Sequence, residues 1–178
     1  TAITTGDCDV MLFSSEGKTA RFQEADVRAM GRTARGVRGI RLREGHRMIS
    51  LVIPKPGGRV LTVSENGYGK RTDTDEFPCK GRGNKGVIAM STSRRNGKLV
   101  GAVQVFDGDE LMLISNQGTM VRTRTDEVPL VGRNTPGVRV IRTKEGEFLV
   151  GVERIEEPPA LEVDLFDEAG SPAAGDPV

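Results

Sequence analysis

Apolar residues in this chain come in runs of four to six, separated by turns of Gly, Ser, Asn and charged residues. Such runs are too short, and too often broken by glycine, to make amphipathic helices, so they predict strands. In the first third of the chain the expected strands cover 10–14, 19–23, 37–42 and 48–53. The S-E-G-K turn at 15–18 joins the first two as a hairpin.

The pattern returns with a period of 50 to 51 residues. Gly17, Gly67 and Gly118 follow F-S-S-E, V-S-E-N and I-S-N-Q, and an arginine stands four residues after each: Arg21, Arg71 and Arg122. Fourteen residues beyond each of those glycines begins a second motif, G-R-x-x-x-G-V, at 31–37, 81–87 and 132–138. Gly45, Gly97 and Gly146 close a third turn, with a two-residue insertion around Arg94–Asn96 in the middle copy. Four antiparallel strands per 50 residues is the size of one blade of a propeller-like disc, in which each small sheet buries a face on the next. The expected architecture is therefore all-β, with about three blades at 7–57, 58–108 and 109–158. Residues 1–6 are read as the end of a preceding blade, and further blades are expected upstream.

Composition adds a partner class. The 26 basic and 25 acidic residues nearly cancel, but seven of the acids lie in 156–178, where Lys and Arg are absent, which leaves 26 bases against 18 acids, or +8, over 1–155. A basic body with an acidic tail points to a polyanionic partner, with the tail at 159–178 expected to be disordered and to compete for the same surface. Hydrophobic content of 36% with one Tyr and no Trp implies a modest aliphatic core. Cys8 and Cys79 form no CxxC pair, so neither a zinc site nor a disulfide framework is indicated, and a reduced, cytoplasmic setting follows. No apolar run approaches the length of a membrane span and none resembles a signal peptide.

The candidate binding residues are the repeated cations. Arg32, Arg82 and Arg133 hold the second position of the glycine-bounded loop, and Arg35 and Lys85 add a second charge where the third copy has Pro136. Guanidinium groups grip phosphate oxygens in a forked geometry and glycines allow close backbone approach, so such loops suit phosphate clamping. Arg38, Arg41, Arg139 and Arg142 alternate with apolar residues on the following strand. The middle copy has Ile88 and Ser91 there and draws its charge from Lys80, Arg82, Lys85, Arg94 and Arg95. Arg21, Arg71 and Arg122 either contact DNA or pair with acids such as Glu24, Asp75 and Asp126. The plainer alternative is that the glycines only shape turns and the arginines keep the surface soluble. His46 and Tyr68, each the single residue of its kind, lie in turns without an acid–base partner, and the acidic pairs have no metal-ligand spacing. The sequence shows no active site.

The runs DVMLFSSEGKTARF (9–22), RAMGRTARGVRGIRL (28–42), ENGYGKRT (65–72), GAVQVFDGDELMLIS (101–115), GTMVRTR (118–124) and VGRNTPGVRVIRT (131–143) closely resemble the C-terminal domain of DNA gyrase A subunits. The resemblance covers about 1–158. It implies a six-bladed β-pinwheel whose basic rim wraps double-stranded DNA through its phosphates, of which this chain would be the last three blades plus the tail. It also implies an A2B2 assembly with the remainder of the gyrase A subunit and with the gyrase B subunit, association with the nucleoid, and no cofactor in this chain, ATP and Mg being used elsewhere in the enzyme. The catalytic tyrosine of the family would lie upstream, so Tyr68 does not inherit that role. The family's basic box Q-R-R-G-G-K-G is absent, and K-G-R-G-N-K-G at 80–86 matches it at four of seven places. The related domain of topoisomerase IV, and a propeller that scaffolds proteins, are the competing readings.

Overall fold

The computed structural model describes residues 1–156, and the acidic tail expected over 159–178 lies outside the described residues. The first repeat forms β1 (Asp9–Ser14), β2 (Lys18–Gln23) and β3 (Met48–Val52). The second forms β4 (Arg59–Ser64), β5 (Tyr68–Asp73), the short β6 (Val87–Ile88) and β7 (Leu99–Val105). The third forms β8 (Glu110–Ser115), β9 (Met120–Arg124), the short β10 (Val138–Arg139) and β11 (Leu149–Ile155). One turn of 3-10 helix follows each of β2, β5 and β9. No described helix is long and apolar enough to cross a membrane.

These strands build three antiparallel sheets in the orders β3-β1-β2-β6, β10-β5-β4-β7 and β11-β8-β9. The all-β expectation holds, with one difference: the fourth strand of a sheet comes from the next repeat. In β6, Val87 and Ile88 pair with Thr19 and Lys18 of β2, and in β10, Val138 and Arg139 pair with Gly69 and Tyr68 of β5. The strand expected at 37–42 is accordingly absent, apart from a bridge from Ile40 to Asn84. Its counterparts exist only by adding to the sheet of the preceding repeat, and among the described residues no sheet precedes the first.

The exchange explains the first glycine anchor. The carbonyl of Gly17 accepts hydrogen bonds from Ala89 (2.8 Å) and Met90 (3.0 Å), and that of Gly67 from Val140 (2.8 Å) and Ile141 (3.2 Å). Both glycines are left-handed, with φ of 83° and 76°, and a Cβ on either would stand 2.3 Å from the carbonyl oxygen of Met90 or Ile141. Only a residue without a side chain satisfies both demands.

The inner strand β3 packs beside β7, and β7 beside β11, whereas β6 and β10 take the opposite edge of their sheets. That edge is the outer rim. Between the first two sheets lies a core of Met11, Phe13, Val60, Tyr68, Phe77, Met90 and Leu99, and between the second and third lies one of Leu61, Val63, Leu111, Leu113, Val128 and Leu149. Burying a residue of this size contributes about 1.5–3 kcal/mol. Each sheet thus has both faces or one face covered by a neighbour, and none is an independent unit.

At Gly118 φ is 81°, yet nothing lies within 4 Å of an added Cβ, because no exchanged strand covers β9 among the described residues. Gly118→Ala should therefore cost about 1–2 kcal/mol through backbone conformation alone, and Gly67→Ala about 1–3 kcal/mol more, because the exchanged strand must move. Urea midpoints of the two variants measure the gap; equal losses would show that strand exchange at Gly67 does not constrain stability.

Candidate nucleic-acid interface

The glycine-bounded loops sit on the rim and are chained to one another. Arg41 N donates to Asn84 O (2.8 Å) and Gly83 N to Gly39 O (2.6 Å), and one repeat further on Ser91 N donates to Thr135 O (3.1 Å). Gly86 and Gly137 press against the carbonyls of Thr19 and Gly69, where a Cβ would come within 2.5 and 2.6 Å. These two glycines therefore seat their loops on the preceding blade, a packing role in place of the close phosphate approach expected from the sequence.

Arg82 and Arg133 have equivalent settings. Arg82 donates from Nε to Asp26 O (2.9 Å) and from Nη1 to Arg38 O (3.3 Å), while Arg133 Nη1 donates to Ile88 O (3.2 Å), the same place one repeat on. Each side chain lies along the rim with part of its fork tied to the neighbouring loop. Arg32, Arg35, Arg38, Arg41, Lys80, Lys85, Arg139 and Arg142 are exposed. Among the described residues none of these eight has a carboxylate within ion-pair distance. Unpaired exposed cations on loops bonded to one another can attract a polyanion at little desolvation cost.

The strand arginines divide differently. Arg21 forms an ion pair with Asp9 (2.7 Å) and donates to the carbonyls of Thr74 (2.9 Å) and Phe77 (3.1 Å) in the next repeat. Arg71 donates to Val128 O (2.7 Å) and lies 3.5 Å from Asp126. Their side chains are only 18% and 12% exposed, so both guanidiniums are committed to locking adjacent blades. Arg122, at the same place in the third repeat, has no such carbonyl within reach among the described residues; it is exposed and paired with Glu110. Of the acids expected as partners, Glu24 and Asp75 pair with none of the three arginines, and Asp126 pairs with Arg71 of the preceding repeat instead of its own neighbour Arg122.

Lys70 stands outside the repeated basic motifs, at a position where the other repeats have Ala20 and Val121, so the sequence pattern does not mark it. It is fully buried and its Nζ donates to Gly132 O (2.8 Å), Arg133 O (2.6 Å) and Thr135 Oγ1 (3.3 Å), propping the third basic loop from beneath. Desolvation pushes its ammonium down to about 8, opposed by Glu76 and assisted by Arg133. Among the described residues no group of His, Cys, Asp and Glu could hold a metal ion.

The sequence pattern of the DNA gyrase C-terminal domain family, described as a β-propeller, matches residues 9–55, 58–105 and 109–156. The chain belongs to that family. The DNA gyrase A subunit of Pseudomonas aeruginosa is 60% identical over 157 residues, 88% of this chain and 17% of that protein. The gyrase A subunit of Escherichia coli K12 is 53% identical over 174 residues, 98% of this chain and 20% of that protein. A solved DNA gyrase A C-terminal domain superposes with a TM-score of 0.79 at 30% identity, covering 86% of this chain and 52% of that one. A topoisomerase IV C-terminal domain superposes at 0.81 but with 22% identity, covering 87% of this chain and 49% of that one, a likeness of fold alone. The chain thus spans about a fifth of the gyrase A subunits it matches.

Within this gyrase-type domain the buried lysine sets a pH dependence. The folded form releases the Lys70 proton near pH 8 and the unfolded chain near 10.5, so the unfolded state holds more protons between these values and stability rises with pH across the window. The rise is at most ~1.4 kcal/mol per pH unit from this group. Urea midpoints of wild type and Lys70→Met compared from pH 7 upward should converge in slope below that window and diverge within it; parallel profiles throughout would contradict the assignment.

Proposed function

We propose that the rim of this chain binds the phosphodiester backbone of duplex DNA and bends it around the disc, acting as a wrapping module without a reaction of its own. The observation that carries this reading is the row of exposed, unpaired cations on the outer edge of successive blades, joined loop to loop. Bending a short duplex costs on the order of 1–6 kcal/mol. Many weak phosphate contacts, spread along the edge, offset it. Contacts to phosphates alone carry little sequence information, so selectivity for base sequence is low. Arg32, Arg35, Arg38, Arg41, Lys80, Arg82, Lys85, Arg133, Arg139 and Arg142 supply these contacts, while Arg21 and Arg71 hold blades together.

In the full-length protein this module serves ATP-dependent negative supercoiling, working with the remainder of the gyrase A subunit and with the gyrase B subunit in an A2B2 assembly on the nucleoid in the cytoplasm. Catalytic groups, ATP and Mg belong to other parts of that enzyme. The gyrase reading is preferred to the topoisomerase IV one because identity to gyrase A subunits reaches 60%, whereas the topoisomerase IV likeness is one of fold.

Six to eight neutralised phosphates give a plot of log affinity against log salt a slope of about −5 to −7, at about −0.9 per phosphate. Reversing Arg32, Lys85 and Arg142, which make no intramolecular bond among the described residues, to glutamate should weaken binding and flatten that slope by about 0.9 for each phosphate left unneutralised. Filter binding at several salt concentrations measures both. Salt-insensitive binding, or full affinity in the triple variant, would refute the phosphate mechanism.

A further inference from the structure

Two departures from the repeat meet at one place on the rim. Tyr68 stands where the other copies have Lys18 and Thr119, and the insertion around Arg94–Asn96 occurs only in the middle copy. In three dimensions the insertion brings Arg95 over the Tyr68 ring, 5.3 Å from its centroid, and the exchanged strand β10 brings Arg139 to 5.4 Å from the same centroid. Arg95 Nε (2.9 Å) and Arg139 Nη2 (3.1 Å) both donate to the tyrosine hydroxyl oxygen. With Arg142 they border an open cleft.

From this geometry we infer that Tyr68, Arg95 and Arg139 form a preorganised site for a backbone phosphate of duplex DNA, fixing the path of the wrap at the middle blade. Such a site presupposes the DNA-wrapping function proposed above. Arg95 and Arg139 are exposed residues while Tyr68 beneath them is 3% exposed, and among the described residues neither arginine has a carboxylate within ion-pair distance. Two like charges held side by side without a counter-ion are repulsive, and a phosphate set between their free N–H groups relieves that repulsion. The hydrogen bond from Arg95, and then that from Arg139, holds the phenol below its usual value, as expected of a hydroxyl placed against two cations.

The turn that carries Arg95 is built to stay in place. Asn96 is fully buried; its Oδ1 accepts from Ser93 N (2.7 Å) and Ser93 Oγ (3.0 Å), and its Nδ2 donates to Ser91 O (2.8 Å) and Pro136 O (3.4 Å). Asn66 Nδ2 donates to Arg95 O (3.0 Å) from the other side. A long side chain anchored at both ends loses less entropy on binding than a free one. Tyr68 is therefore a positioning residue, and the two arginines make the contact.

The single tyrosine gives a clean probe, since ring-labelled tyrosine yields one set of NMR signals in this chain. Titration of wild type with a short duplex should shift the Tyr68 ring signals in step with DNA binding. Arg95→Gln should weaken binding more than Arg94→Gln, which removes an equal charge from the same turn. Tyr68→Phe should weaken it several-fold at an unchanged salt slope, because no charge is lost. Circular dichroism verifies that each variant is folded. Ring signals unmoved at saturating duplex, or equal effects of the Arg94 and Arg95 changes, would overturn the site while leaving the wrapping function intact. Failure of wild type to bind duplex at all would instead defeat that function. A shift with inorganic phosphate but not with duplex would overturn the assignment to DNA.

Discussion

The structure depends on the transfer of a two-residue strand from the second and third repeats to the sheet of the repeat before. The glycine carbonyls at 17 and 67 each accept two amides from the residues that directly follow that strand, and the arginines four residues later donate to the backbone of the same next repeat. Individually these bonds contribute about 0.5–1.5 kcal/mol, and leaving their buried partners unmade costs more. Together they make the blade a property of two adjacent repeats. A sheet gains its fourth strand only when the next repeat is there to supply it, as the three-stranded third sheet shows.

The same constraint sets the geometry of the charged edge. The second and third G-R-x-x-x-G loops end where their exchanged strands begin, so the hydrogen bonds that join the blades also fix the spacing between one cluster of cations and the next. Arg82 and Arg133 grip the carbonyls of Arg38 and Ile88, equivalent positions in successive repeats, and so carry the regularity of the backbone into the positions of the charges. A rim of this kind presents a polyanion with cations at set intervals. Lys70 shows how tightly the loop is held, since a buried ammonium is tolerated to support it.

Most of the fold is legible in the chain because its glycines are spaced so regularly. Strands expected at 10–14, 19–23 and 48–53 lie within a residue of β1, β2 and β3. Residues 37–42 depart from expectation, because a strand's local pattern of Val, Ile and Leu does not state which sheet it joins or whether that sheet is at hand. The arginine at 21, 71 and 122 carries the same ambiguity, since one spacing serves a half-buried inter-blade tie in two copies and an exposed ion pair in the third. The Tyr68 site leaves a signal that only a comparison of copies reveals: a residue type and an insertion peculiar to the middle repeat, whose meeting in space depends on β10 coming from the third.

A rim so regular should impose its own curvature on DNA. A duplex of about 50 base pairs is short against the persistence length of ~150 base pairs and is nearly straight when free. With a fluorescent donor and acceptor at its two ends, energy transfer measured on adding this chain at low salt should rise and should fall back as salt is raised. Saturable binding with no change in end-to-end distance would mean that the cations hold the helix without bending it, which contradicts a wrapping role.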